Sequence, residues 1–228
     1  MTAEGEVDPG TDATRFQLLF YKVARAILAG FCYTFWRARF EGREHVPRSG
    51  PFVLSPVHRS NIDTPLMGCV TRRRMRFLGK ESMWKYAWSA WLFTSLGGIP
   101  IRRGVADREA LRLCEAAVKA GEPVVIFPEG TRRSGPVVEN IFEGAAFVAL
   151  RRGVPIVPVG IGGSQDAMPR GTKLLRPVKV RVVIGPPFYP PDRQPGARVA
   201  RREVHELTER LQAELQRLFD RAREAAAR

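Results

Sequence analysis

Two segments late in the chain, VPIVPVGIG at 154–162 and VKVRVVIGPPF at 178–188, are apolar without strict alternation. A strand with one wet face alternates apolar and polar residues; one without alternation is covered on both faces, as in a largely parallel sheet. Earlier segments fit the same scheme. PFVLS at 51–55, RMRFLGK at 74–80 and PVVIFPEG at 123–130 read as strands. Between them ESMWKYAWSAWLFTSL at 81–96, an amphipathic stretch at 105–123 and VENIFEGAAFVALRRG at 138–153 read as helices, while GGIPIRRG at 97–104 reads as an extended break. Asp107 can cap the second of these helices and Gly121 can end it. The last 30 or so residues place Val204, Leu207, Leu211, Leu215 and Leu218 at helical spacing, which predicts a surface helix with one apolar stripe. Strands alternating with helices make this an α/β domain: a mostly parallel central sheet flanked by helices, with its ligand at the carboxyl ends of the strands.

The start of the chain is different. Residues 1–15 are small and acidic and read as a mobile tail without the basic start of a secretory signal. Residues 16–40 form an aromatic, mainly apolar helical segment whose longest uncharged run, 26–36, is 11 residues. A spanning helix needs roughly 20 apolar residues. Lys22 and Arg25 share one face, so an amphipathic helix docked in the membrane interface fits better. The alternative is a helix packed on the domain's own core. Residues 41–228 make up the remaining domain, including the C-terminal helix.

Charge narrows the partners. Lys and Arg number 37 against 23 Asp and Glu, a net charge of +14. Such an excess favours an anionic partner. A nucleic-acid-binding role would need aromatics interleaved among the arginines, and the aromatics lie in apolar helices instead. TRRRMR at 71–76 is either a solvated charge run or a patch facing acidic headgroups. Cys32, Cys69 and Cys114 are scattered and lack the spacing of a zinc site or a disulfide framework. They read as buried thiols in a reducing compartment.

Two turns carry chemistry-bearing residues. In SPVHRSNID, His58 stands five residues before Asp63, just past a strand. This is either an ordinary strand-to-helix turn or a base with the carboxylate that orients it. In FPEGTRR, Pro128 and Gly130 shape a turn carrying Glu129, Thr131 and Arg132. Its N–H groups, hydroxyl and guanidinium suit a phosphate, and the alternative is a turn with surface charges. Both lie past strand ends, so they can share one cleft. No nucleophile elbow is present, since GGSQD at 162–166 fails at its last position. His58 and Asp63 also lack further partners at metal-ligand spacing.

Four pieces in order resemble the glycerolipid (lysophospholipid) acyltransferases, typified by 1-acylglycerol-3-phosphate acyltransferase: His58 to Asp63, Gly97 to Arg103, Phe127 to Arg132, and Val154 to Val159. The resemblance covers about residues 40 to 190 and adds Lys80, before Glu81. It implies acyl transfer from acyl-CoA or acyl carrier protein to the sn-2 hydroxyl of lysophosphatidic acid, giving phosphatidic acid without a cofactor or a metal. The alternative is the same chemistry on another lysophospholipid, glycerol 3-phosphate or a glycolipid. By resemblance His58 is the base and Asp63 its orienter. Lys80, Arg103, Thr131 and Arg132 bind phosphate, while Glu129 and Gly130 belong to the same substrate-binding turn. The implied location is the cytoplasmic face of the cell membrane, peripheral or monotopic, on an anionic surface. The chain departs from the family pattern at Val57, Asn61 and Glu143, where a difference in acceptor would be sought.

Overall fold

The computed structural model describes residues 13–101, 107–172, 174–191 and 198–228. The expected tail at residues 1–12, and Arg103, lie outside the described residues. Helix α1 (Arg15–Phe35) opens on a capping box, with Thr14 and Gln17 bonding each other's backbone N–H. Ala13, Thr14 and Arg15 therefore belong to the helix entry rather than to a tail. Then come β1 (Arg39–Glu41), β2 (Val53–Pro56), α2 (Asp63–Gly68), β3 (Arg76–Lys80), α3 (Ala87–Ser95), β4 (Gly98–Ile101), α4 (Asp107–Lys119) and β5 (Val124–Val125). The rest is α5 (Gly144–Arg152), β6 (Ile156–Gly162), α6 (Ser164–Ala167), β7 (Arg181–Ile184) and α7 (Arg201–Ala227).

Among the described residues the strands form one seven-stranded sheet in the order β1-β7-β6-β2-β5-β3-β4. The pairs from β6 to β4 are parallel, and β7 turns antiparallel to β6 and carries β1 parallel to itself. β2 and β6 are buried along their whole length, as their unbroken apolar pattern predicts.

Three segments differ from the sequence reading. GGIPIRRG contributes β4, an edge strand in which Pro100 is tolerated because an edge leaves one side of the ladder open. Arg39–Glu41 leaves the apolar N-terminal segment to become the opposite edge. Residues 138–143 are not helical: the chain takes φ 53° at Asn140, and Phe142 N–H donates to Pro128 O at 2.7 Å. That segment is drawn across the FPEGTRR turn, and α5 starts only at Gly144.

α7 lies along β6 with no room to spare. Its buried side chains Val204, Leu211, Leu215, Leu218, Phe219 and Ala222 include most of the predicted stripe, and Leu207 packs partly buried beside them. A Cβ on Gly160 would sit 2.3 Å from the Leu218 backbone. Gly160→Ala is therefore expected to cost roughly 3 kcal/mol, the upper range for overpacking a core, read as a lowered urea midpoint.

The TRRRMR run is committed inward for the most part. Arg73 Nη1 donates to Pro47 O at 3.1 Å, and Arg74 Nη2 donates to Thr94 O at 2.6 Å. Arg76 is buried and pairs with Glu122 at 3.1 Å. Arg72 is exposed. The reading of this run as a headgroup-facing patch is thus corrected: these arginines mainly staple β3 to its neighbours. All three cysteines are free and buried, as expected of structural thiols.

Candidate active site

β2 ends at Pro56, and Val57 N–H extends its pairing to Val159 O at 3.0 Å. The chain then turns sharply into α2. The turn closes on one carboxylate oxygen. Asp63 Oδ2, fully buried, accepts the backbone N–H groups of Arg59 and Ser60, both at 2.6 Å, and lies 3.1 Å from His58 Nδ1. A carboxylate only accepts, so Nδ1 carries the proton and donates; Nε2 is left as the basic nitrogen. The His58 ring leans on the Phe127 ring, centroids 4.2 Å apart, and its side chain is 18% exposed.

β5 is the adjacent strand, and its turn meets that of β2. Glu129 Oε2 accepts His58 N–H at 2.6 Å, while Oε1 lies 3.0 Å from Arg59 Nη1. The Glu129 side chain is 0% exposed and that of Arg59 1%. Burial pushes the Glu129 carboxyl up, against the His58 amide and the Arg59 charge, and burial likewise lowers the Arg59 guanidinium. Glu129 thus faces the scaffold beneath the histidine and not the cleft. Gly130 has φ 64°, and a Cβ there would meet the Phe142 ring at 2.6 Å, so the turn needs glycine. Arg133 N–H donates to His58 O at 2.8 Å, binding the two turns again.

Beyond Gly130, Thr131 and Arg132 line a cavity of about 300 Å³ with Arg133, Ser134, Val137, Glu139 and Arg170. Three guanidinium groups and two hydroxyls there suit a phosphate-bearing ligand. Lys80 is exposed at the carboxyl end of β3, two strands from β2, or about 10 Å. Of the predicted site residues, His58, Asp63, Glu129 and Gly130 are joined in one packed unit and Thr131 and Arg132 continue it. Lys80 stands apart, and Arg103 lies outside the described residues.

Sequence reasoning passed over Arg59, Arg133 and Arg170. An arginine in a polar turn looks like surface charge, and only the tertiary fold buries Arg59. Of the departures, Val57 is buried in the core and cannot touch an acceptor. Asn61 is exposed on the turn, and Glu143 lies 3.6 Å from His205.

Fold and site together define an α/β domain in which the carboxyl ends of the central strands present an oriented histidine beside a basic turn. Residues 37–162, more than half the chain, match the Acyltransferase family, and the chain belongs to that family. A chloroplastic 1-acyl-sn-glycerol-3-phosphate acyltransferase from Brassica napus is 30% identical over 161 residues, covering 69% of this chain and 46% of its own. The chain thus spans about half the length of such plant relatives. A lyso-ornithine lipid O-acyltransferase from Pseudomonas aeruginosa is 30% identical over 164 residues, 71% of this chain and 60% of its own. Among solved structures, the 1-acyl-sn-glycerophosphate (LPA) acyltransferase PlsC from Thermotoga maritima superposes with a TM-score of 0.67. Its identity is 25%, over 91% of this chain and 85% of that one.

Proposed function

We propose that the protein transfers a fatty acyl group from a thioester, acyl-CoA or acyl carrier protein, to the sn-2 hydroxyl of lysophosphatidic acid. The product is phosphatidic acid for phospholipid biosynthesis. The observation that carries this reading is the His58–Asp63 contact, with Nδ1 engaged and Nε2 left basic, beside a cavity rich in arginine. His58 Nε2 takes the proton of the acceptor hydroxyl as its oxygen attacks the thioester carbonyl. The tetrahedral intermediate collapses, the C–S bond breaks, and the departing thiolate takes that proton back from the imidazolium. Asp63 holds the tautomer and stabilises the imidazolium. Thr131 and Arg132, aided by Arg133 and Arg170, hold the acceptor's phosphate, and the family resemblance adds Lys80 and Arg103 to the same role. Glu129 positions His58 through its amide.

The proposed location rests on α1. It is the one helix among the described residues long and apolar enough to cross a membrane, by length and composition. Yet Tyr21 and Cys32, well separated along it, are both buried against the domain, and Tyr21 Oη donates to Arg73 O at 3.1 Å. A helix docked along its length on a protein supports lying in the interface, monotopic, and in this reading on the cytoplasmic face.

The relative from Pseudomonas aeruginosa favours a second reading, the same transfer to a lysolipid without a phosphate. An acceptor panel with one labelled acyl donor separates the two. Transfer to lysophosphatidic acid is expected, and its absence removes the first reading. Arg170→Ala is expected to raise KM for lysophosphatidic acid about tenfold, as loss of one charge-assisted hydrogen bond would, with kcat little changed.

A further inference from the structure

With Arg73, Arg74 and Arg76 turned inward, another group of cations among the described residues stands at the end of α1. Where α1 ends, the backbone passes through Arg37 into β1, and a cleft of about 650 Å³ opens there. Arg37, Arg39, Arg43, Lys179 and Arg181 line it with Tyr33, and no carboxylate side chain is among its described lining residues. Arg39 and Arg181 are register partners on adjacent strands, a like-charge pairing that destabilises a sheet unless something neutralises it. Arg37 sits at φ 46°, a conformation that suits glycine and costs another residue roughly 1 kcal/mol. What the side chain adds there is a further cation.

Three of the cations, Arg37, Arg43 and Arg181, are held in place by neutral groups. Arg43 stacks 4.3 Å over the Phe40 ring and donates to Cys69 O at 2.8 Å. Arg181 Nη1 donates to the carbonyls of Arg37 and Val180, both at 2.9 Å, and Arg37 Nη2 donates to Pro177 O at 3.3 Å. Such a fixed set of guanidinium groups is preorganised for a phosphate.

The cleft's position indicates which phosphate. Arg181 pairs with Gly162, the last residue of β6, so the cleft lies at the end of the sheet where β6 and β2 finish, the end that carries His58. β7 and β6 separate β1 from β2, a distance of about 14 Å. On α1, Phe16, Leu19, Val23, Ile27 and Phe31 are exposed at spacings of three and four, an apolar stripe on the solvent side of the helix. Toward the start of α1 the rings of Phe16 and Phe20 approach exposed Trp91 of α3, at 6.0 and 4.8 Å between centroids. Toward its end the helix reaches Tyr33 and the cleft. An apolar face ending in cations is how a helix sits at the headgroup level of a bilayer.

We propose that this cleft binds the headgroup phosphate of an anionic phospholipid in the bilayer on which α1 lies, as a second lipid site that takes no part in acyl transfer. The inference rests on the interfacial placement of α1 and is independent of the acyl acceptor. The test is flotation of the full chain with vesicles of phosphatidylglycerol and phosphatidylcholine, or of phosphatidylcholine alone. Arg37→Gln/Arg39→Gln is expected to weaken binding to the anionic vesicles at least tenfold and to leave binding to phosphatidylcholine unchanged. Arg39→Gln alone, on an exposed side chain, is expected to weaken it about threefold. The control Arg201→Gln/Arg202→Gln removes the same charge from the start of α7 and is expected to change binding less than twofold. Equal loss in both double variants, or no loss in either, would overturn the proposal. So would loss of acyl transfer by Arg37→Gln/Arg39→Gln in detergent micelles, which would place the cleft in the reacting machinery. Absence of transfer in the unaltered protein would count against the proposed reaction and leave the headgroup result to stand by itself.

Discussion

His58→Ala is expected to lower acyl transfer about a hundred- to ten-thousandfold while its unfolding free energy stays within about 1 kcal/mol of the unaltered chain. The rate loss follows from removing the base, whose contribution in such reactions is roughly 10²–10⁴. The small change in stability follows from where the ring sits. It is partly exposed, leans on Phe127, and shares Asp63 Oδ2 with two backbone N–H groups that remain bonded when the ring is gone. Initial rates with a labelled acyl donor, set beside urea unfolding, check both halves. A variant that keeps its activity would sink the mechanism; one that loses its fold would show that the ring is scaffolding. Asp63→Asn makes a useful contrast. It disturbs the tautomer of His58 and also the oxygen on which the turn closes, so activity and stability are expected to fall together.

The sheet was legible because its central strands are apolar on both faces, and that pattern is local. β4 was not, since Gly98 and Pro100 read as a break until an edge strand is available to accept them. Residues 138–143 carry a helical pattern, but the tertiary bond from Phe142 N–H to Pro128 O outcompetes it. The two site turns were legible as residue types at fixed spacings. The way they interlock was not, because it depends on Glu129 and Arg59 being driven out of water by α7 and by residue 137. Arg170 reaches the cavity from the segment after α6, a meeting with no local signal in the sequence. Val57 shows the converse: next to His58 in sequence, it points into the core because successive residues of an extended segment face opposite sides.

The Arg59–Glu129 pair gives the second large effect, and two variants separate its parts. Arg59 Nη2 donates to Val137 O at 3.0 Å and its guanidinium lies 4.7 Å over the Phe219 ring of α7. The pair therefore ties both site turns to the chain at 137 and to the C-terminal helix. Two charges taken out of water are costly, and their attraction repays this only while both are present. Glu129→Ala leaves Arg59 buried and uncompensated, so a loss of about 3–5 kcal/mol is expected in urea unfolding. Arg59→Met/Glu129→Met removes both charges and refills the space. Such replacements are often neutral, and stability is expected to return to within about 1 kcal/mol of the unaltered chain. Activity is not expected to return with it. His58 N–H loses its acceptor, the turn is free to shift, and a displacement on the order of 1 Å at a reacting group can cost about a hundredfold in rate. A double variant that is stable and fully active would show that the pair merely supports the fold. One that is stable and slow would show that a buried carboxylate holds His58 in place from beneath.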